Sequence, residues 1–229
     1  MARKPRRKPA AQTTARAAKS ERERVIEAFM ALLAEKPFER IGFAEIAQRA
    51  RVSLAELRGL FGSTLAILAA QVKETDRSVL AGADADMAEE PPRERLFDVL
   101  MRRLELLEPH TAAVRALQRS AARNPGLALA LNGIGVRSQQ WMLAAADIGS
   151  AGPRGKLRAQ GLALLFASVL HTWVEDDAPG HARTMAALDR ALARGQRWSG
   201  VLDEALRLSA CVGSRRRRRD RSGEQSAAA

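Results

Sequence analysis

The chain has 229 residues, enough for one or two compact units with real cores, and carries a formal net charge of +12. It contains no tyrosine and only 4% aromatic residues, while Ala, Leu and Arg dominate, which disfavours a sheet-rich fold and suits packed helices. The charge is not spread evenly. Residues 1–24 hold 9 Lys and Arg against 2 acids, residues 215–229 hold 6 against 2, and residues 25–214 hold 23 bases and 22 acids. A nearly neutral body therefore carries two basic tails, which attract nucleic acid or anionic lipid without sequence preference. The single cysteine, Cys211, excludes an internal disulfide and fits a reducing compartment, the bacterial cytoplasm. No apolar run reaches membrane-spanning length.

Residues 1–19 lack periodicity and are expected to form a disordered basic arm rather than a secretory or transit signal. Ser20 and Glu23 form a capping box that opens the first helix, whose apolar face is Val25, Ile26, Phe29, Met30, Leu32 and Leu33. Pro37 stops it. A second helix over 43–50 is expected to bury Phe43, Ile46, Ala47 and Ala50. After the turn Arg51-Val52-Ser53, a second capping box of Ser53 and Glu56 opens a third helix, which Phe61-Gly62 ends. Ser63 caps a fourth helix running toward Leu80, and an acidic linker follows from Gly82 to Pro92.

Further helices are expected near 93–107, 110–122, 126–147, 154–175, 179–195 and 199–210, separated by Pro109, Asn124-Pro125, Gly149 to Pro153 and Pro179-Gly180. The fold class is therefore all-α. Residues 20–81 are expected to form an N-terminal helix-turn-helix unit, and 82–212 a helical regulatory and dimerisation domain. Residues 213–229 read as a disordered Arg-rich tail.

Short helices joined by a tight turn before a capped helix describe a helix-turn-helix. With Ile46-Ala47, Val52-Ser53, Leu57, Phe61 and Ser63 in register, residues 22–72 resemble the TetR family of transcriptional regulators. That resemblance implies a homodimer that binds double-stranded DNA, usually as a repressor, and releases it on binding a small apolar or lipid-like ligand. It places the DNA contacts at Gly42, Arg51, Ser53, Leu54, Ala55, Arg58, Gly59, Ser63 and Thr64. Four of these depart from the family pattern. Gly42 stands for a capping Thr, Arg51 for the turn glycine, Arg58 for a phosphate-binding Tyr, and Thr64 for a Lys. Arg58 can make up the lost phosphate contact and is the one outward side chain able to read guanine bidentately.

The ligand reading places Met101, Leu104, His110, Leu117, Trp141, Met142, Phe166, Leu170 and His171 near a cavity of the C-terminal part. For the dimer, helix 154–175 has two apolar faces, Leu157, Leu164, Phe166 and Leu170 beside Gly161, Leu165, Ser168 and Thr172. With Met185, Leu188 and Leu192 of 179–195, it is expected to form a four-helix interface. The stretch from Trp173 to Gly195 also resembles the ubiquinone-biosynthesis lipid-binding proteins of TetR-like fold, which implies the alternative of a lipid-binding accessory protein without DNA binding. An amphipathic segment from Trp198, followed by five arginines ending at Arg219, offers that alternative an anionic membrane surface as partner.

Catalysis, metals and cofactors find no residues at the needed spacing. His110, His171 and His181 stand alone, and Glu175-Asp176-Asp177 is expected to cap the helix that follows.

Overall fold

The computed structural model describes residues 19–82, 87 and 89–195, and every regular element among them is helical. The basic arm, the helix expected at 199–210, Trp198, Cys211 and the arginine tail lie outside the described residues. The chain folds as α1 (Glu21–Glu35), α2 (Phe43–Ala50), α3 (Leu54–Leu60), α4 (Thr64–Ala81), α5 (Pro92–Leu107), α6 (Thr111–Arg123), α7 (Pro125–Ala145), α8 (Gly152–Trp173) and α9 (182–195).

The breakers set these boundaries. Pro92, Pro125 and Pro153 each fall at the first or second helical position, where a missing N–H costs nothing. Three of the expected segments shift by a few residues. The helix expected at 110 opens with a 3-10 turn over Glu108–His110, because Pro109 sits there. The helix expected from 179 begins only after a 3-10 turn at Pro179–His181, in which Gly180 takes φ 69°. The one expected to reach 147 ends at Ala145, as Asp147 turns left-handed at φ 56°. Between α7 and α8 the chain passes so close to Gly155 that a Cβ there would lie 2.1 Å from the Ser150 backbone, so only glycine fits.

Two apolar clusters hold the molecule together. The first joins α1 to α4 through Val25, Phe29, Leu33, Ile46, Leu57 and Ile67, all buried, with Phe29 and Phe38 meeting edge to face at 6.2 Å. Helix α6, expected to belong wholly to the C-terminal part, packs along α1 and places Ala113 in this first cluster. The Ser120 hydroxyl accepts the Phe38 N–H at 3.2 Å across the same contact. The second cluster joins α4, α5, α7, α8 and α9 through Leu100, Leu104, Met142, Phe166, Trp173 and Leu188. Helix α4 contributes to both, so it couples them.

Phe43 does not join the first cluster as expected but is 46% exposed. It is the first residue of α2, and helical side chains lean toward the N-terminus, so its ring leans past the helix end rather than onto α1.

Candidate nucleic-acid interface

Helix α3 is short and anchored through one buried residue, Leu57, with Val52 and Leu60 packed beside it. Its entry is fixed by a complete capping box. The Ser53 hydroxyl accepts the Glu56 N–H at 3.1 Å, and the Glu56 carboxylate accepts the Ser53 N–H at 2.7 Å. Those bonds from Ser53 hold the Glu56 carboxyl below its usual value. The following helix α4 is capped by Ser63, whose hydroxyl accepts the Ala66 N–H at 3.1 Å. A helix fixed so firmly at its entry presents its outer face as a rigid strip.

That outer face holds Leu54, Ala55, Arg58 and Gly59, all exposed, with Leu54 at 55%. The spacing of four between Leu54 and Arg58 and between Ala55 and Gly59 puts them on one stripe. A Cβ on Gly62 would lie 3.6 Å from an Arg58 guanidinium nitrogen, so this side chain reaches back over Gly62 toward the N-terminus of α4. Ser63 is exposed there and Thr64 half-buried, beside backbone amides that favour an anion. Neither the Arg58 nor the Arg51 guanidinium has a hydrogen bond or ion pair with another described residue, so both are available to phosphate.

Arg51 takes the left-handed conformation at φ 56° and ψ 49°, as expected of the position where the family has glycine. Its N–H closes α2 onto the carbonyls of Ala47 and Gln48. Gly42 is the α2 N-cap at φ −94° and offers no side chain to cap it. Arg40, exposed in the turn before it, and Phe43 extend the same exposed edge. Sequence reasoning passed over Arg40 and placed Phe43 in the core. A half-exposed aromatic at a helix start carries no periodic signal, because the stripe formed by 43, 46, 47 and 50 reads as buried throughout.

Several other cations of this unit are engaged. Arg49 makes two bonds of 2.7 Å to Glu35, Lys36 pairs with Glu45, and Arg24 donates to the Ala50 carbonyl at 3.2 Å. Arg22 lies 4.7 Å from the Phe61 ring centre.

Of the nine residues expected around a ligand cavity, five share the second cluster and four lie elsewhere. Leu104, Met142 and Phe166 are packed in the second cluster, with Met101 and Leu170 against it. Leu117 packs on the first cluster instead, since α6 lies along α1. Trp141 is 60% exposed, because it falls with Leu129, Gly133 and Arg137 on every fourth residue of the outer face of α7. His171 is exposed, and His110 is half-buried, with burial pushing its imidazole below the ordinary value against the pull of Glu27. A cleft of about 610 Å³ opens elsewhere, between the end of α1 and α6, lined by Pro37, Ala116, Arg119, Arg123 and Pro125 among others.

The two faces expected on α8 are also regrouped. Leu157 and Phe166 are nine residues apart, and at about 100° per residue they point to opposite sides. The buried face is Ala159, Leu162, Ala163, Phe166, Val169 and Trp173. The outer face is Leu157 at 50%, Gly161, Leu164 at 61%, Ser168 and His171, all exposed. Leu165, placed beside Gly161 by the sequence reading, is half-buried against the second cluster. After α8, Asp176 does cap the next helix. Its carboxylate accepts the Thr184 N–H at 2.8 Å and hydroxyl at 2.7 Å. Burial alone would raise its pKa, but these bonds and that from Ala178 hold it low.

Missed entirely by sequence reasoning was a buried ion pair of Asp76 in α4 with Arg103 in α5, which the Ser138 hydroxyl of α7 joins at 2.8 Å. The signal existed. Arg103 occupies a core position of the stripe 96, 99, 100, 103, 104 and 107, where a charge is out of place.

The architecture has close counterparts among solved structures. A TetR regulator from Nitrosomonas europaea superposes with TM-score 0.61 at 20% identity, covering 78% of this chain and 99% of its own. The fold is that of the TetR regulators. A TetR regulator from Rhodococcus sp. RHA1 matches with TM-score 0.53 at 23% identity, over 76% of this chain and 95% of that one. A TetR-family regulator from Streptomyces coelicolor also gives 0.53, at 18% identity, over 81% and 84%. By sequence, no family model and no curated protein matches the chain. In TetR-fold terms, α2 and α3 are the helix-turn-helix, and no helix of the described residues is long and apolar enough to cross a membrane.

Proposed function

We propose that this chain is a homodimeric, ligand-controlled DNA-binding regulator of TetR type, acting as a repressor in the bacterial cytoplasm. The observation that carries this reading is the outer strip of α3. Leu54, Ala55, Arg58 and Gly59 stand exposed on a helix capped at its N-terminus by Ser53, with an Arg58 guanidinium nitrogen 3.6 Å from where a Cβ on Gly62 would lie. A helix of this kind fits the major groove, with Arg58 on guanine or phosphate and Leu54 on a thymine methyl. Arg51, Ser63 and Thr64 are placed to hold the flanking phosphates. With a single strong base reader, specificity is spread thinly, and phosphate contacts supply most of the affinity.

Dimerisation is supported by the outer face of α8, where Leu157, Gly161 and Leu164 form an apolar strip with small residues that permit close approach. A twofold axis through it would set two copies of α3 about 34 Å apart. The ligand is expected in the second cluster, whose helix α4 leads directly into the DNA-binding unit. The lipid-accessory alternative draws no support from the stretch beginning at Trp173. That tryptophan is buried in the core and Asp176 is a helix cap, so packing accounts for both.

The test is fluorescence anisotropy with duplex DNA from upstream of the gene itself, at physiological salt. Wild-type protein should bind it well above random duplex of equal length. Arg58→Ala should lose at least tenfold in affinity for that site and approach its random-duplex value. Equal binding of both duplexes by wild-type protein, or an Arg58→Ala variant that keeps full preference, overturns the assignment.

A further inference from the structure

The cleft of about 610 Å³ beside α6 takes no residue from α3 or α8 and has no part in the reading above. One wall is the end of α1 and the turn after it, from Ala34 to Glu39. The other is α6 from Ala116 onward, with Pro125 at the start of α7. It stays open for a local reason. Ala34 and Ala116, the helical residues on its two sides, are too short to fill it, and Pro37 and Pro125 stiffen the chain at its ends. Its base is pinned by the Ser120 hydroxyl, which is buried and accepts the Phe38 N–H at 3.2 Å.

The charged side chains that line it are Glu35, Lys36, Glu39, Arg119 and Arg123. Two of them are engaged by neighbours. Glu35 accepts two bonds of 2.7 Å from Arg49, and Lys36 pairs with Glu45. The side chains of Glu39, Arg119 and Arg123 are exposed and have no ion pair or hydrogen bond with another described residue. Opposite charges thus share one cleft without meeting. Arg119 and Arg123 are four residues apart, so they project from one face of α6 with about 6 Å between their Cα atoms. Like charges at that spacing destabilise a helix, and an anion between them removes the repulsion.

The balance of unpaired charge selects the ligand class. Two guanidiniums against one carboxylate leave one positive charge. The C-terminus of α1 and the N-terminus of α7 both reach the cleft, and their opposite partial charges offset each other. One carboxylate therefore neutralises the site, whereas a cation or a doubly charged phosphate ester does not. The alanine and proline walls suit an apolar body. We infer that the cleft between α1 and α6 binds a monocarboxylate with a compact apolar body. Its carboxylate sits on the Arg119 and Arg123 guanidiniums, whose forked donors match carboxylate oxygens, and its body lies against Pro37 and Pro125. This site is separate from the second cluster and does not depend on the chain being a DNA-binding regulator.

The test is isothermal titration calorimetry of full-length protein without DNA at pH 8, with 1-naphthoate, 1-naphthamide and 1-naphthyl phosphate as probes. 1-Naphthoate should bind saturably and less tightly as salt rises. The neutral amide should bind at least tenfold more weakly, and the phosphate ester, doubly charged at this pH, at least threefold more weakly. Arg119→Gln and Arg123→Gln should each weaken naphthoate binding about tenfold, the worth of one charge-assisted contact. Each free variant should melt at or above wild type, because the repulsion along α6 is gone. Ala34→Trp fills the cleft from its exposed side and should abolish binding in a protein that still folds. No saturable binding of naphthoate, an amide or phosphate ester that binds as tightly, or unchanged naphthoate affinity in both arginine variants each overturns the inference. The DNA titration of Arg58→Ala is unaffected by any of these results, so failure of this site and failure of the regulator reading are separable.

Discussion

In the N-terminal cluster the charged side chains stay at the rim, where Arg49 meets Glu35 and Lys36 meets Glu45, and helix ends are closed by Ser20, Ser53 and Ser63. In the body formed by α4, α5, α7 and α8 one ion pair goes inside. Asp76 and Arg103 pair in the core, Gln139 and Trp173 carry unserved polar atoms, and Leu157 and Leu164 face outward. The first arrangement leaves little for a partner to improve, and it suits a platform that must hold α3 in one geometry. The second stores unmet interactions on both its inner and outer sides. Such a unit would gain from a ligand within and a second copy without, as proposed, and helix α4 contributes to both clusters.

The sharpest way to break this contrast is to compare the ion pairs. Asp76→Ala strands the Arg103 charge in the core and should destabilise the protein by about 3–5 kcal/mol. Replacing both partners, Asp76→Leu with Arg103→Met, should recover most of that loss. Arg49→Ala, by contrast, should leave the urea midpoint within error, because exposed pairs contribute little. Equal midpoints for Asp76→Ala and Arg49→Ala would show that the two regions do not differ as argued. The outer side of the body is probed by Leu164→Glu. A carboxylate in the middle of an apolar interface should raise the dimer dissociation constant at least a hundredfold, about 2.7 kcal/mol, in analytical ultracentrifugation. Sedimentation of wild-type protein as a monomer at micromolar concentration would remove the dimer.

What could be read from the sequence follows the same division. The helix-turn-helix rests on local chemistry. Capping boxes at Ser20 and Ser53, a proline stop at Pro37 and a left-handed turn at Arg51 each act within a few residues, and each is found where the pattern placed it. The body depends on which helix meets which, and that is not local. Leu117 faces α1 rather than a cavity because α6 leans on the other cluster. Asp76 and Arg103 are 27 positions apart, so nothing local joins them. The α8 faces were misgrouped for a simpler reason, since counting apolar residues without their angles placed Phe166 beside Leu157. Phe43 shows the limit at a helix end, where a residue in register with the core still leans into solvent.

The smallest expected effect lies at Arg51, between the two helices of the helix-turn-helix unit. A non-glycine residue at φ 56° and ψ 49° carries a penalty of roughly 1–2 kcal/mol. Arg51→Gly removes that penalty, but the freer glycine loses about 0.5–1 kcal/mol more on folding. The net should be a gain of about 0 to 1.5 kcal/mol, or up to about 3–6 °C in melting temperature for a chain of this size. The arginine side chain offsets nothing in the free protein, because it has no ion pair or hydrogen bond with another described residue. A strained residue kept without internal compensation points to use outside the fold, and the exposed site between α2 and α3 makes a DNA phosphate the natural partner. Arg51→Gly should therefore also weaken binding to specific and random duplex alike and lower the slope of log affinity against log salt by about one. Arg51→Asn, which tolerates the left-handed conformation, should give a smaller stability gain with the same loss of salt dependence. A glycine variant that melts higher but binds both duplexes as wild type would leave the strain at Arg51 without a role in DNA binding.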